Sequence, residues 1–155
     1  MVPSGSHLHI TETMDQHRGS HTIYDLRYHL VWCTKYRYKV LAGDIGLRAR
    51  DLLREIAVSL EIGILSGKVG KEHVHMYVSM PPNLSVAKAV MHMKGKSSRK
   101  LQMQYTELRR RYWGQHLWAR GYFASTIGEI NDAVIREYIE HQDEHHGDDT
   151  FTVGA

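Results

Sequence analysis

Two histidines one residue apart, His73 and His75, stand in the stretch 72-EHVHMYVSM-80. Neutral imidazole is a common ligand for divalent transition metals. Side chains alternate along a β-strand, so His73, His75, Tyr77 and Ser79 would share one face, and Val74, Met76, Val78 and Met80 the other. The apolar row reads as the core face. That leaves the two rings side by side on the open face, about 7 Å apart along the strand, where they can chelate one cation. The bare pattern is weak: twelve histidines in 155 residues give roughly one His-x-His by chance. An ordinary surface pair is the competing reading.

A cation needs a third ligand, and 138-YIEHQ-142 offers one. Tyr138 and Gln142 are four apart and share a helical face. An amide oxygen is a hard, neutral ligand suited to Mg²⁺ or Mn²⁺. Alternatively, Tyr138 packs in the core and Gln142 is solvated. His141, His145 and His146 are rival ligands, read first as surface residues.

The elements that must position these groups follow from pattern. Residues 23–33, IYDLRYHLVWC, are rich in β-branched and aromatic side chains and predict a strand. From Asp44, the spacing of Leu47, Leu52, Leu53, Ile56, Ala57 and Leu60 predicts a helix, with Gly63 as its stop. Residues 62–69 and 73–80 predict two strands joined by a hairpin turn at Gly70-Lys71-Glu72. Pro81-Pro82-Asn83 breaks the pattern, and Ser85 caps a long helix to about Leu108, interrupted at Gly95. Residues 118–127 predict a fourth strand, and Asn131 or Asp132 begins a last helix to about residue 146. The order β-α-β-β-α-β-α matches an α+β, ferredoxin-like plan: an antiparallel sheet with two helices on one face, plus a C-terminal helix.

The chain suits one domain with a real core. It reads as an extension over 1–20, opening with the expression scar MVPSGSH, a domain over 21–147 and a frayed tail over 148–155. No apolar run is long enough to span a bilayer, which points to a soluble, cytoplasmic protein. Cys33, the lone cysteine, reads as a buried, inert thiol. Charge is unevenly placed: residues 1–128 hold 19 of the 20 Lys+Arg but only 9 of the 17 Asp+Glu. A basic body with an acidic C-terminal segment suggests a polyanionic partner, solvated charge being the alternative.

Together these residues resemble the single-tyrosine HUH transposases, which mobilise small insertion sequences as single-stranded DNA. His73-Val74-His75 matches the motif that names the family, and Tyr138 with Gln142 matches its Tyr-x-x-x-Gln helix. The stretches 35-KYRYKVL-41, 81-PPNLSV-86, 94-KGKSS-98 and 117-LWARGYF-123 are similar too. Glu72 stands where many members have Asp. The resemblance implies a catalytic Tyr138 that forms a 5′-phosphotyrosine, and a Mg²⁺ or Mn²⁺ ion held by His73, His75 and Gln142. It implies single-stranded DNA with hairpin ends as partner, no nucleotide cofactor, and a homodimer in which the tyrosine helix of one chain is placed against the HUH pair of the other. As hairpin contacts it directs attention to Lys94, Lys96, Ser97, Arg99 and Lys100, with Lys35 and Arg37 secondary. Arg109–Arg111 are equally well read as solvated, and Tyr112-Trp113 as packing. A non-cleaving hairpin-binding module of the same fold, or a HUH replication-initiation or relaxase nuclease, are the alternatives.

Overall fold

The computed structural model describes residues 17–18, 22–126 and 132–144, with side chains placed for 22–126 and 133–140. A four-stranded antiparallel sheet is built from β3 (Arg27–Cys33), β4 (Gly63–Val69), β5 (His73–Ser79) and β6 (Phe123–Ser125), in the order β4-β5-β3-β6. Helix α1 (Gly43–Ser59) connects β3 to β4, and α2 (Val86–Gln104) with the short α3 (Thr106–Arg111) connects β5 to β6. Because β3 and β4 each pair antiparallel with β5, they run in the same direction with β5 between them. This is the split β-α-β plan read from the sequence.

Alternation in β5 works as expected. Val74, Met76 and Val78 are buried, and meet Leu30 and Trp32 of β3 beneath α1 and α2. Ala49, Leu52, Leu53 and Ile56 come from α1; Ala89, Val90, Met93 and Leu101 come from α2, at the three-and-four spacing of an amphipathic helix. Ser85 caps α2 by accepting from the Lys88 N–H at 3.1 Å. The last helix, α4 (Asp132–Glu144), lies on the opposite face of the sheet, where Ile135 and Ile139 bury Val31 of β3. No described helix is long and apolar enough to cross a membrane.

Several expected boundaries shift. The first strand is interrupted after Tyr24: β2 (Ile23–Tyr24) pairs with β1 (His17–Arg18), inside the segment read as an extension. The Asp25 carboxylate then receives both the Nε and Nη2 of Arg27, at 2.8 and 2.9 Å. Glu61, not Gly63, ends α1. It takes a left-handed φ of 61°, while Glu61 N–H donates to Val58 O and Ile62 N–H to Ala57 O. That is the paired bond pattern of a left-handed helix end, usually built with glycine. Gly63 instead opens β4.

The long helix stops at Gln104 because Tyr105 is extended, which turns Leu108 and Tyr112 into the core. Of the described part of the fourth strand, Phe123–Ser125 joins the ladder and Trp118 makes an isolated bridge to Thr34. Gly121, at φ +86°, breaks the extended run before it.

Candidate active site

His73 and His75 lie on the sheet face away from α1 and α2, opposite Cys33 and Val31 of β3 in register. Neither is a freely rotating surface side chain. His73 Nδ1 lies 3.1 Å from the Glu72 carboxylate. Its ring also passes so near Gly70 that a Cβ there would sit 2.5 Å from His73 Cε1. The hairpin turn therefore needs glycine to admit the ring. Burial pushes the Glu72 carboxyl up, but its hydrogen bond to His73 and to its own backbone, with the charge of His73, hold it below the usual range. His75 Nε2 lies 3.1 Å from Nδ1 of His29. That histidine is buried at 6% exposure, and its ring stacks on Tyr77 with centroids 4.2 Å apart.

Tyr138 comes to the same face on α4. Its ring packs against Phe123 at 5.9 Å, beside the cluster of Val31, Ile135 and Ile139. Val31 is the Cα partner of His75, so the helix that carries the phenol docks on the residue paired with a histidine of the motif. The Tyr138 oxygen is buried and has no hydrogen-bond partner among the described residues. Burial, and secondarily the Cys33 thiol, pushes its pKa far above the usual tyrosine value. A buried hydroxyl without a partner is uncommon and costs about 1–3 kcal/mol.

These observations fit a cation. One imidazole is backed by a carboxylate, a support that metal-bound histidines usually have, and the other by a second imidazole. A buried phenol without a described partner lies on the same face of the sheet. Among the described residues no three of His, Cys, Asp and Glu come together as a cation site, so a further ligand must be of another type or lie outside them. Gln142 belongs to α4, one turn beyond Tyr138, but its side chain lies outside the described set. So does that of His141; His145 and His146 lie outside the described residues altogether.

The basic candidates divide. Lys96, Arg99 and Lys100 are exposed on one stripe of α2. Arg99 and Lys100, with Arg48, Met103 and Gln104, line a shallow pocket of about 300 Å³. Two expected contacts are corrected. Ser97 is fully buried: its hydroxyl donates to Met93 O and accepts from Trp118 Nε1 at 2.9 Å, so it cannot reach a phosphate. Lys94 donates its ammonium to Ala119 O and Gly121 O, both at 2.8 Å, and burial lowers its pKa to about 8. It clamps α2 to the approach of β6.

Lys35 and Arg37 lie elsewhere, on a single 3₁₀ turn after β3 that touches α4. Tyr36 and Arg37 there have left-handed φ of 63° and 53°, a strained pair of the kind found at functional sites. Tyr112 packs inside and donates to Lys35 O, while Trp113 stands 86% exposed beyond Arg109–Arg111.

Two residues of these surfaces escaped the sequence reading. His29 lies in a stretch read only as a strand; alternation would have put it on the open face with Val31 and Cys33. Arg48 joins the α2 stripe from another helix, and no local pattern marks it.

Comparison with known proteins bears on the family and the fold. A family model described as IS200-like transposase matches residues 22–142. The ISDra2 transposase TnpA of Deinococcus radiodurans is 35% identical over 129 residues, covering 83% of this chain and 92% of that protein. The transposase for insertion sequence element IS200 of Salmonella typhimurium is 34% identical over 128 residues, covering 83% and 84%. A crystal structure described as a transposase from Deinococcus radiodurans superposes with a TM-score of 0.75 at 32% identity, covering 81% of this chain and 97% of that one. A REP-associated tyrosine transposase bound to a REP hairpin shares the fold alone, with a TM-score of 0.51 at 12% identity over 83% and 68% of the two chains. With a family match across the sheet, the histidine pair and the tyrosine helix, this chain belongs to the IS200-like transposases and is a DNA transposase.

Proposed function

We propose that the chain cuts and rejoins single-stranded DNA at the ends of an insertion sequence, with Tyr138 as nucleophile. The observation that carries this reading is the buried phenolic oxygen of Tyr138, without a hydrogen-bond partner among the described residues, on a helix that packs on Val31, the strand partner of His75. A divalent ion, Mg²⁺ or Mn²⁺, held by His73, His75 and Gln142 would neutralise charge on the scissile phosphate and favour the phenolate over the phenol.

Tyr138 attacks phosphorus. The bond from phosphorus to the tyrosine oxygen forms as the bond to the 3′ oxygen breaks; the phenol loses its proton and the released 3′ oxygen gains one. The product is a 5′-phosphotyrosine with a free 3′-hydroxyl. One ester replaces another, so bond energy is retained and the reverse attack by a new 3′-hydroxyl joins strands without a nucleotide cofactor. Burial keeps Tyr138 protonated in the resting chain, which protects DNA from attack until the site is filled.

Hairpin recognition falls to the exposed stripe of Lys96, Arg99 and Lys100 with Arg48, which pairs basic charge with the concave surface between α1 and α2. Lys35 and Arg37, beside α4, suit the strand being cut instead. The thin apolar attachment of α4 also suits a homodimer in which tyrosine helices exchange between subunits.

The test uses single-stranded hairpin DNA labelled 3′ of the cleavage site, incubated with the protein and Mn²⁺ and run on a denaturing gel. Label moves to protein mass with the wild type. With Tyr138→Phe it does not, while hairpin binding remains. An adduct that survives in Tyr138→Phe places the nucleophile elsewhere, and hairpin binding with no wild-type adduct makes the protein a non-cleaving module.

A further inference from the structure

We propose that His29 is a positioning residue for the reaction: its ring holds His75 in the orientation that receives the cation. The inference rests on the proposed cation site and goes beyond it, because His29 is in neither of the motifs that define that site.

The geometry is specific. His29 sits in the middle of β3, and its Cα partner across the ladder is Tyr77, two residues beyond His75 on β5. The His29 ring lies flat on the Tyr77 ring, with 15° between their planes. It meets the His75 ring at a tilt of 35°, with centroids 5.3 Å apart, and the edge-on contact is the 3.1 Å approach of His29 Nδ1 to His75 Nε2. The stack fixes the plane of His29, and the hydrogen bond passes that constraint to His75.

Chemistry explains why a histidine occupies this position. Burying an imidazole is costly unless its nitrogens find partners, and an apolar residue would pack beside Val31 at lower cost. What an apolar residue cannot do is hold one nitrogen of His75. His73 has a matching device, the Glu72 carboxylate at its Nδ1. The Glu72 carboxylate accepts from His73 Nδ1–H, which leaves Nε2 of His73 to the cation; His75 offers its Nδ1 in the tautomer whose Nε2–H donates to His29 Nδ1. Tyr77 supports the arrangement through the stack.

The experiment compares His29→Phe, His29→Leu and His29→Asn with wild type and His75→Ala. Phenylalanine keeps the ring and its stack on Tyr77 but has no nitrogen; leucine fills the space without a ring; asparagine restores a hydrogen-bonding group near the place of Nδ1. Mn²⁺ affinity is measured on the protein alone from the loss of the free-ion electron paramagnetic resonance signal. Hairpin affinity without cation, thermal melting, and cleavage across a Mn²⁺ titration are measured beside it. The expected result is a tenfold to hundredfold loss of Mn²⁺ affinity in the phenylalanine and leucine variants, and a matching shift of the Mn²⁺ concentration needed for cleavage. Hairpin affinity stays unchanged, and the asparagine variant recovers most of the loss. Wild-type Mn²⁺ affinity in whichever of His29→Phe and His29→Leu melts as the wild type does overturns the positioning role. His75→Ala separates the failures: if it loses Mn²⁺ while the His29 variants keep it, only the role of His29 falls; if it too binds normally, the cation site falls with it.

Discussion

The two faces of the sheet are built to different standards. Toward α1, α2 and α3, a continuous cluster of 22 buried residues surrounds Trp32 and Leu101. Toward α4, the described cluster has three buried members, Val31, Ile135 and Ile139, with Phe123 and Tyr138 half-buried beside them. Burying an isoleucine contributes about 1.5–3 kcal/mol, so the two described isoleucines of α4 contribute a few kcal/mol, while the opposite face carries most of the described apolar burial. The polar and reactive groups lie on the weaker face: His29, His73, His75 and the unpartnered phenol. Stability and chemistry are therefore separated by one layer of backbone. A buried phenol without a described partner can be tolerated on one side because the other side carries the larger core.

This separation can be broken at several points. Tyr138→Phe has the largest expected effect on activity: the covalent adduct falls to background, while thermal melting stays level or rises, because an unpaired buried hydroxyl worth about 1–3 kcal/mol is removed. A clear fall in melting temperature would mean that the hydroxyl has a structural partner. Leu101→Ala does the converse. It lowers stability by about 2–5 kcal/mol in urea unfolding and leaves adduct formation per folded molecule unchanged. Ile135→Ala combined with Ile139→Ala should speed hydrogen exchange in α4 while β3 and β5 keep their protection. Uniform loss of protection would show that the two faces fold as one unit.

The smallest effect concerns the outer stripe. Lys96→Ala and Arg99→Ala should each flatten the logarithmic salt dependence of hairpin affinity by about 0.7–0.9. Ser97→Ala, next to Lys96 and two residues from Arg99 in sequence but buried, should leave that slope alone and lower stability by about 1–3 kcal/mol through the orphaned Trp118 Nε1. A change of slope in Ser97→Ala would put its hydroxyl back on the DNA surface.

Much of this was legible before folding was considered. The alternation in 73–80 assigned Val74, Met76 and Val78 to the core and the two histidines to the opposite face, because a strand has a period of two. The order of elements implied the split β-α-β plan. Errors arose where a stretch was read for composition without its phase. Composition alone makes the run 94–100 one basic surface, but Ser97 falls four residues after Met93 and four before Leu101, on the buried stripe of α2. Gly63 was chosen as the helix stop because glycine is the usual left-handed residue, yet Glu61 takes that conformation. The fourth strand was drawn too long because the run 118–127 contains Gly121, whose positive φ divides it.

The sequence by itself determined what depends on near neighbours: which strand residues share a face, which helix residues share a stripe, where Ser85 caps a helix, and that Tyr138 and Gln142 lie one turn apart. Only the tertiary structure decided what depends on register between distant segments. His29 meets His75 across 46 residues of chain, Lys94 reaches carbonyls 25 and 27 residues away, and α4 settles on Val31. Local periodicity constrains the direction in which a side chain points. The atom it meets is set by how strands align and helices dock, which is a property of the whole packed core.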